Sequence, residues 1–181
     1  DIFLCHVTNS SHYYLYLYDV ACTSFGATVC TDCPIGTYGH ETGICQPCLP
    51  GSVASTTGST VCTPCQAGTY AVTLPQPTPA SYCKECGVGS YSIAQAISCR
   101  ECSSGFVANT TGSSVCSACI AGTYALTHTY CKECDVGTYS DAQAISCSNC
   151  PPGSFAASTN STVCDPCLLN SFTDMPGSSR C

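Results

Sequence analysis

The sequence predicts a small disulfide-rich fold: an elongated rod of tandem cysteine-rich units of about 16 residues, built from short β-hairpins with little helix. Three observations predict it. Cysteine supplies 21 of the 181 residues, about 12% where roughly 8–10% already marks a disulfide scaffold. Nine C-x-x-C pairs run along the chain: Cys30/Cys33, Cys45/Cys48, Cys62/Cys65, Cys83/Cys86, Cys99/Cys102, Cys116/Cys119, Cys131/Cys134, Cys147/Cys150 and Cys164/Cys167. Each pair is followed in fixed phase by a turn residue and then a bulky one. Three residues after the second cysteine stands Gly36, Gly51, Gly68, Gly89, Gly105, Gly122, Gly137, Gly153 or Asn170. Two further on stands Tyr38, Val53, Tyr70, Tyr91, Val107, Tyr124, Tyr139, Phe155 or Phe172. Gly and Asn accept positive φ most readily, so the phase demands a tight turn.

Residues 1–29 precede the repeat and carry the strand-prone stretch Tyr13-Tyr-Leu-Tyr-Leu-Tyr18. It is too apolar to stand free, and it is expected to dock on its own first repeat or on a neighbouring subunit. Residues 30–82 form the first cysteine-rich repeat, lengthened by Pro75-Gln-Pro-Thr-Pro79. Residues 83–130 form the second and 131–181 the third, because Cys83, Cys99 and Cys116 recur 48 residues on at Cys131, Cys147 and Cys164. Ala94-Gln-Ala-Ile-Ser98 recurs in the same way as Ala142-Gln-Ala-Ile-Ser146. Cys181 stands where a tenth pair would begin, so the array is expected to continue. A second turn, marked by Gly58, Gly112, Asn160 or Gly177, precedes several pairs, and the residues between turns suit two short strands. The bulky residue of each hairpin is expected to lie against a disulfide as a thin local core.

The cysteines admit three chemistries. C-x-x-C followed by C-x-x-C could supply four thiolates to zinc; it could be a redox motif, if it opened a helix; or it could form structural bridges. No window has helical periodicity, and nine copies are not nine active sites. Three sequons, Asn9-Ser-Ser, Asn109-Thr-Thr and Asn160-Ser-Thr, point to N-glycosylation and an oxidising, secretory compartment. Structural bridges are the reading that agrees with that compartment. Asn109 and Asn160 both fall beside the second turn of corresponding loops.

Blocks such as Cys131-Lys-Glu-Cys-Asp-Val-Gly-Thr-Tyr139 and Cys147-Ser-Asn-Cys-Pro-Pro-Gly-Ser-Phe155 resemble ephrin-receptor-like cysteine-rich repeats, and the resemblance covers about residues 30–181. It is looser to tumour-necrosis-factor-receptor and EGF-like modules. The resemblance implies an extracellular rod of the kind found in receptors, adhesion proteins and surface appendages. No calcium-type EGF acidic motif accompanies it. Two pairings stay open. One closes each loop: Cys33–Cys45, Cys48–Cys62, Cys65–Cys83, Cys86–Cys99, Cys102–Cys116, Cys119–Cys131, Cys134–Cys147, Cys150–Cys164 and Cys167–Cys181, with Cys22–Cys30 ahead and Cys5 left unpaired or intermolecular. The other interlocks bridges within the 48-residue period, as in EGF-like modules.

Charge narrows the partners. Four Lys+Arg against eleven Asp+Glu give a net charge of −7. Lys84, Arg100, Lys132 and Arg180 are too scattered for a nucleic-acid footprint. The apolar run at Tyr13–Tyr18 is far short of the roughly 20 residues of a membrane span, so no membrane insertion is expected in these residues. His6, His12, His40 and His128 are dispersed and fit no catalytic or metal motif, so neither an enzyme nor a cofactor is expected. The expected role is an extracellular structural glycoprotein that self-associates in a filament, cell coat or flagellar appendage. The alternative is the stalk or ligand-binding region of a surface receptor or adhesion protein, whose partners are other extracellular proteins.

Overall fold

The computed structural model describes residues 20–21, 31–39, 44–74 and 80–181. Cys5, Asn9, Tyr13–Tyr18, Cys22 and Cys30 lie outside the described residues, and with them the expectations for N-terminal docking, the Cys22–Cys30 bridge and the Cys5 thiol.

The described chain is a succession of two-stranded sheets without helix. Val20–Ala21 pairs with Thr31–Asp32 ahead of the first bridged hairpin. The bridged hairpins then follow in order. Thr37–Gly39 pairs with Cys45–Pro47, Ser52–Val53 with Thr63–Pro64, and Thr69–Leu74 with Ala80–Glu85. In the second repeat Ser90–Tyr91 pairs with Arg100–Glu101, Phe106–Val107 with Ser117–Ala118, and Thr123–Thr127 with Tyr130–Glu133. Thr138–Tyr139 with Ser148–Asn149 and Ser154–Phe155 with Asp165–Pro166 complete the series. The third position of the period carries the long strands, because there no second turn interrupts the ladder.

Each hairpin opens on the turn that the cysteine phase predicts. Thr37 N–H donates to Pro34 C=O at 3.0 Å, with Gly36 third in the turn at φ +87°. A left-handed third residue is the signature of a type II turn. Asn170 takes the same place at φ +67° in the last bridged loop, Cys167–Cys181, which carries the turn without paired strands. The residue after the turn adds a second bond that the glycine pattern does not reveal. Thr37, Thr69, Ser90, Thr123, Thr138, Ser154 and Ser171 each donate their hydroxyl to the turn's first carbonyl at 2.6–2.8 Å. The short β-hydroxyl side chain is the type that reaches its own backbone three residues back.

The core is thin and made mostly of sulfur. Cys33, Cys65, Cys86, Cys102, Cys119, Cys134 and Cys150, the second cysteines of their pairs, are at most 3% exposed. Around them are buried Ala54, Ser92, Ala108, Ser140 and Ala156, the residues that follow the bulky position. Tyr38, Tyr70, Tyr91, Tyr124, Tyr139 and Phe155 are only half-buried, while Val53 and Val107 are buried. Within each unit the most buried side chains are thus cysteines and small residues, with the rings left partly exposed.

Two compact units divide the described residues: those up to 84 with 93–98, and residues 85–92 with 99–181. Both are built of the same hairpins. Among the described residues no helix is long and apolar enough to cross a membrane.

Candidate functional site

The feature that recurs most regularly is the clasp between successive hairpins, and it is made by the backbone. Three bonds compose it. The turn glycine of one hairpin donates its N–H to the carbonyl just after the bulky residue of the next: Gly36 to Ala54, Gly89 to Ala108, Gly122 to Ser140, Gly137 to Ala156 and Gly153 to Thr173, all at 2.8–2.9 Å. In return, the second turn of the next hairpin donates to the carbonyl of the buried cysteine. Gly58 donates to Cys33, Gln95 to Cys65, Gly112 to Cys86, Gln143 to Cys119, Asn160 to Cys134 and Gly177 to Cys150, again at 2.8–2.9 Å. A third bond joins strand ends, as from Ala71 to Ala96 and from Ala125 to Ala144. Buried backbone groups demand partners, and each hairpin supplies them to the one before.

All six donors of the second bond sit in left-handed backbone, at φ between +59° and +76°. Gly58, Gly112, Asn160 and Gly177 were legible as turn residues; Gln95 and Gln143 were missed because Gln is no turn signal. Their position was a signal all the same, since both stand four residues before the first cysteine of a pair, as the other four do. After four of these turns the next residue caps the turn carbonyl: Ser59, Ser113, Ser161 and Ser178 donate to Thr56, Thr110, Ser158 and Met175 at 2.6–2.8 Å.

The hairpins also meet one step further along. A β-carbon on Gly105 would overlap the carbonyl of Gln143, and one on Gly137 would overlap that of Gly177. Glycine is required there twice over, by the left-handed turn and by the approach of a backbone two hairpins on. Where the second turn is replaced by a long hairpin, a different contact fills in. Ala108 N–H donates to His128 C=O at 2.9 Å, and Ala54 N–H to the buried Ser81 hydroxyl at 3.3 Å.

The bridges follow the loop-closing scheme. Cys33–Cys45, Cys48–Cys62, Cys65–Cys83, Cys86–Cys99, Cys102–Cys116, Cys119–Cys131, Cys134–Cys147, Cys150–Cys164 and Cys167–Cys181 close loops of 12 to 18 residues with Cα atoms 5.5–5.7 Å apart. The interlocked alternative does not occur among them. Every described cysteine is consumed in a bridge, so none of these thiols is left to ligate a metal. Of the sequon residues, Asn109 is exposed ahead of its turn, whereas Asn160 is exposed but forms the turn itself at φ +62°.

One side chain tests the clasp directly. Ser140 is 3% exposed and donates its hydroxyl to Thr123 C=O at 2.9 Å, tying two hairpins together. Ser140→Ala is expected to cost about 1–2 kcal/mol, because it leaves a buried carbonyl short of a donor. Half-buried Ser154→Ala, which loses only an exposed local turn bond, should cost less in the same thermal denaturation. Equal midpoints for the two variants would refute the assignment.

No curated protein matches the chain. Residues 137–181 match the family model described as "Tyrosine-protein kinase ephrin type A/B receptor-like". That match begins at the turn glycine Gly137 and takes in the clasped hairpins of Cys150 and Cys167. This stretch of the chain is similar to an ephrin-receptor-like cysteine-rich domain.

Proposed function

We propose that the chain is an extracellular structural glycoprotein, a repeating building block of a filament, cell coat or flagellar appendage, that works by assembly and not by catalysis. The observation that carries this reading is the clasp: the same backbone bonds recur at most junctions between hairpins, and each hairpin loop is closed by the same kind of bridge. Backbone contacts tolerate change in outward side chains, which suits an array whose purpose is its own continuity. Disulfide density of this order belongs to oxidising compartments. Partners are further copies of the chain or other extracellular proteins, and sugars on Asn109 and Asn160 keep a surface poor in charge hydrated. Glycosidase treatment of native material is expected to remove mass from peptides that contain each of these two residues.

The match over residues 137–181 favours a second reading, in which the array is the stalk or a ligand-binding part of a receptor or adhesion protein. Electron microscopy of native material separates the two. Ordered fibres support the structural role, and isolated rods that remain unassembled overturn it in favour of the stalk.

A further inference from the structure

Asn109 and Asn160 head sequons in equivalent hairpins of the second and third repeats, Cys102–Cys116 and Cys150–Cys164. The two sequons are out of register. Asn160 stands where Gly112 stands 48 residues earlier, three positions beyond Asn109 in the unit. Asn109-Thr-Thr111 therefore ends just before the residue that clasps the preceding hairpin, and Asn160-Ser-Thr162 begins on it.

That shift changes what folding does to the acceptor. Asn160 N–H donates to Cys134 C=O at 2.9 Å, and Ser161 C=O accepts from Ser140 N–H at 3.3 Å. The Ser161 hydroxyl donates to Ser158 C=O at 2.8 Å, and the Asn160 backbone is left-handed at φ +62°. Both the main-chain and the side-chain oxygen of Asn160 lie over Gly122, where an added β-carbon would overlap them. The amide that takes the sugar is thus laid against the preceding hairpin. In the second repeat the same clasp falls on Gly112 N–H, to Cys86 C=O at 2.8 Å, and on Ser113 C=O, from Ser92 N–H at 3.2 Å. Asn109 lies ahead of both bonds. From its sequon the exposed Thr111 hydroxyl reaches across, to a Glu85 carboxylate oxygen at 3.2 Å.

We propose that Asn160 accepts sugar only until its hairpin seats on Cys134, so that its glycan is decided by a race between transfer and closure, whereas Asn109 stays open after folding. Transfer joins the asparagine Nδ2 to the anomeric carbon of an oligosaccharide carried on a lipid pyrophosphate. The bond from that carbon to the pyrophosphate oxygen breaks, and Nδ2 gives up one proton. The motif requires the amide and the hydroxyl two residues on, so the transferase must grip Asn160 to Thr162 together. Once seated, Asn160 and Ser161 are both bonded to the preceding hairpin, and the grip requires that hairpin contact to open first. A sugar attached earlier is tolerated, because Asn160 is exposed. The inference rests on the glycoprotein reading above and adds the order in which each sugar and the Cys150–Cys164 hairpin are completed.

The test offers the full unglycosylated chain, either oxidised or reduced and alkylated, to purified oligosaccharyltransferase with a lipid-pyrophosphate oligosaccharide. Mass spectrometry reads the initial rate at each site. The reduced chain should take sugar at both residues. In the oxidised chain the rate at Asn160 should fall relative to Asn109 by about tenfold or more, the cost of local opening. C150A/C164A, with its other bridges formed, should restore transfer at Asn160 and leave Asn109 unchanged. Equal rates at the two sites of the oxidised chain, transfer at neither, or a reduced chain refused at Asn160 alone overturns the proposal. So does a variant in which Asn160 stays closed or Asn109 rises with it. Sugar at neither residue of the reduced chain overturns the glycoprotein reading as well.

Discussion

Reduction of the nine bridges is expected to abolish the fold entirely. Each closes a loop of 12 to 18 residues, and a bridge over a loop of this size destabilises the unfolded chain by about 3 kcal/mol. Ordinary domains have a net stability of only about 5–15 kcal/mol, and the described residues offer no larger apolar core to fall back on, because their fully buried side chains are largely the cysteines themselves. Hydrogen exchange should show the clasp amides, such as Asn160 N–H on Cys134 C=O, protected in the oxidised chain and unprotected after reduction and alkylation. Retained protection in the alkylated chain would mean that packing, and not the bridges, holds the hairpins.

A single methyl group should do comparable damage locally. Gly137 has φ +79°, and an added β-carbon would run into Gly177 C=O two hairpins on. Left-handed backbone costs an L side chain roughly 1–2 kcal/mol, and overpacking adds about 1–3 kcal/mol. Gly137→Ala is therefore expected to lose about 3 kcal/mol, with exchange rising first in the Cys167–Cys181 hairpin that carries Gly177. Gly87→Ala is the control, since a β-carbon there meets nothing within 4 Å. It should stay within about 0.5 kcal/mol of the parent. Thermal melts of both variants decide the matter, and equal midpoints would remove the close approach from the account.

The cysteine phase made most of this architecture readable. The spacing Cys–Gly–aromatic fixed where turns fall, and a turn after every pair leaves room only for short hairpins, such as Ser90–Tyr91 with Arg100–Glu101. Pairing could be reduced to two schemes but not to one, because both satisfy the same period; the structure closes each hairpin on its own pair of sulfurs, as in Cys134–Cys147. The burial of Ser92, Ala108 and Ser140 was not legible, since nothing in a small residue announces that a neighbouring hairpin will close over it. Gln95 and Gln143 were hidden for a related reason. Tertiary bonds to Cys65 and Cys119 hold them in a conformation that their own propensity disfavours.

Loop-closing bridges also determine how the chain would carry a load. Tension entering at Cys134 passes through sulfur to Cys147, along two residues to Cys150, and again through sulfur to Cys164. Every hairpin loop is bypassed. Per hairpin the taut path is 5.7 Å across the Cys134–Cys147 bridge plus three backbone steps of about 3.5 Å each, or roughly 16 Å. A reduced segment of about 16 residues could be drawn out to roughly 55 Å. The oxidised array therefore behaves as an almost inextensible tether, with slack of more than threefold locked behind sulfur and released only by a reductant.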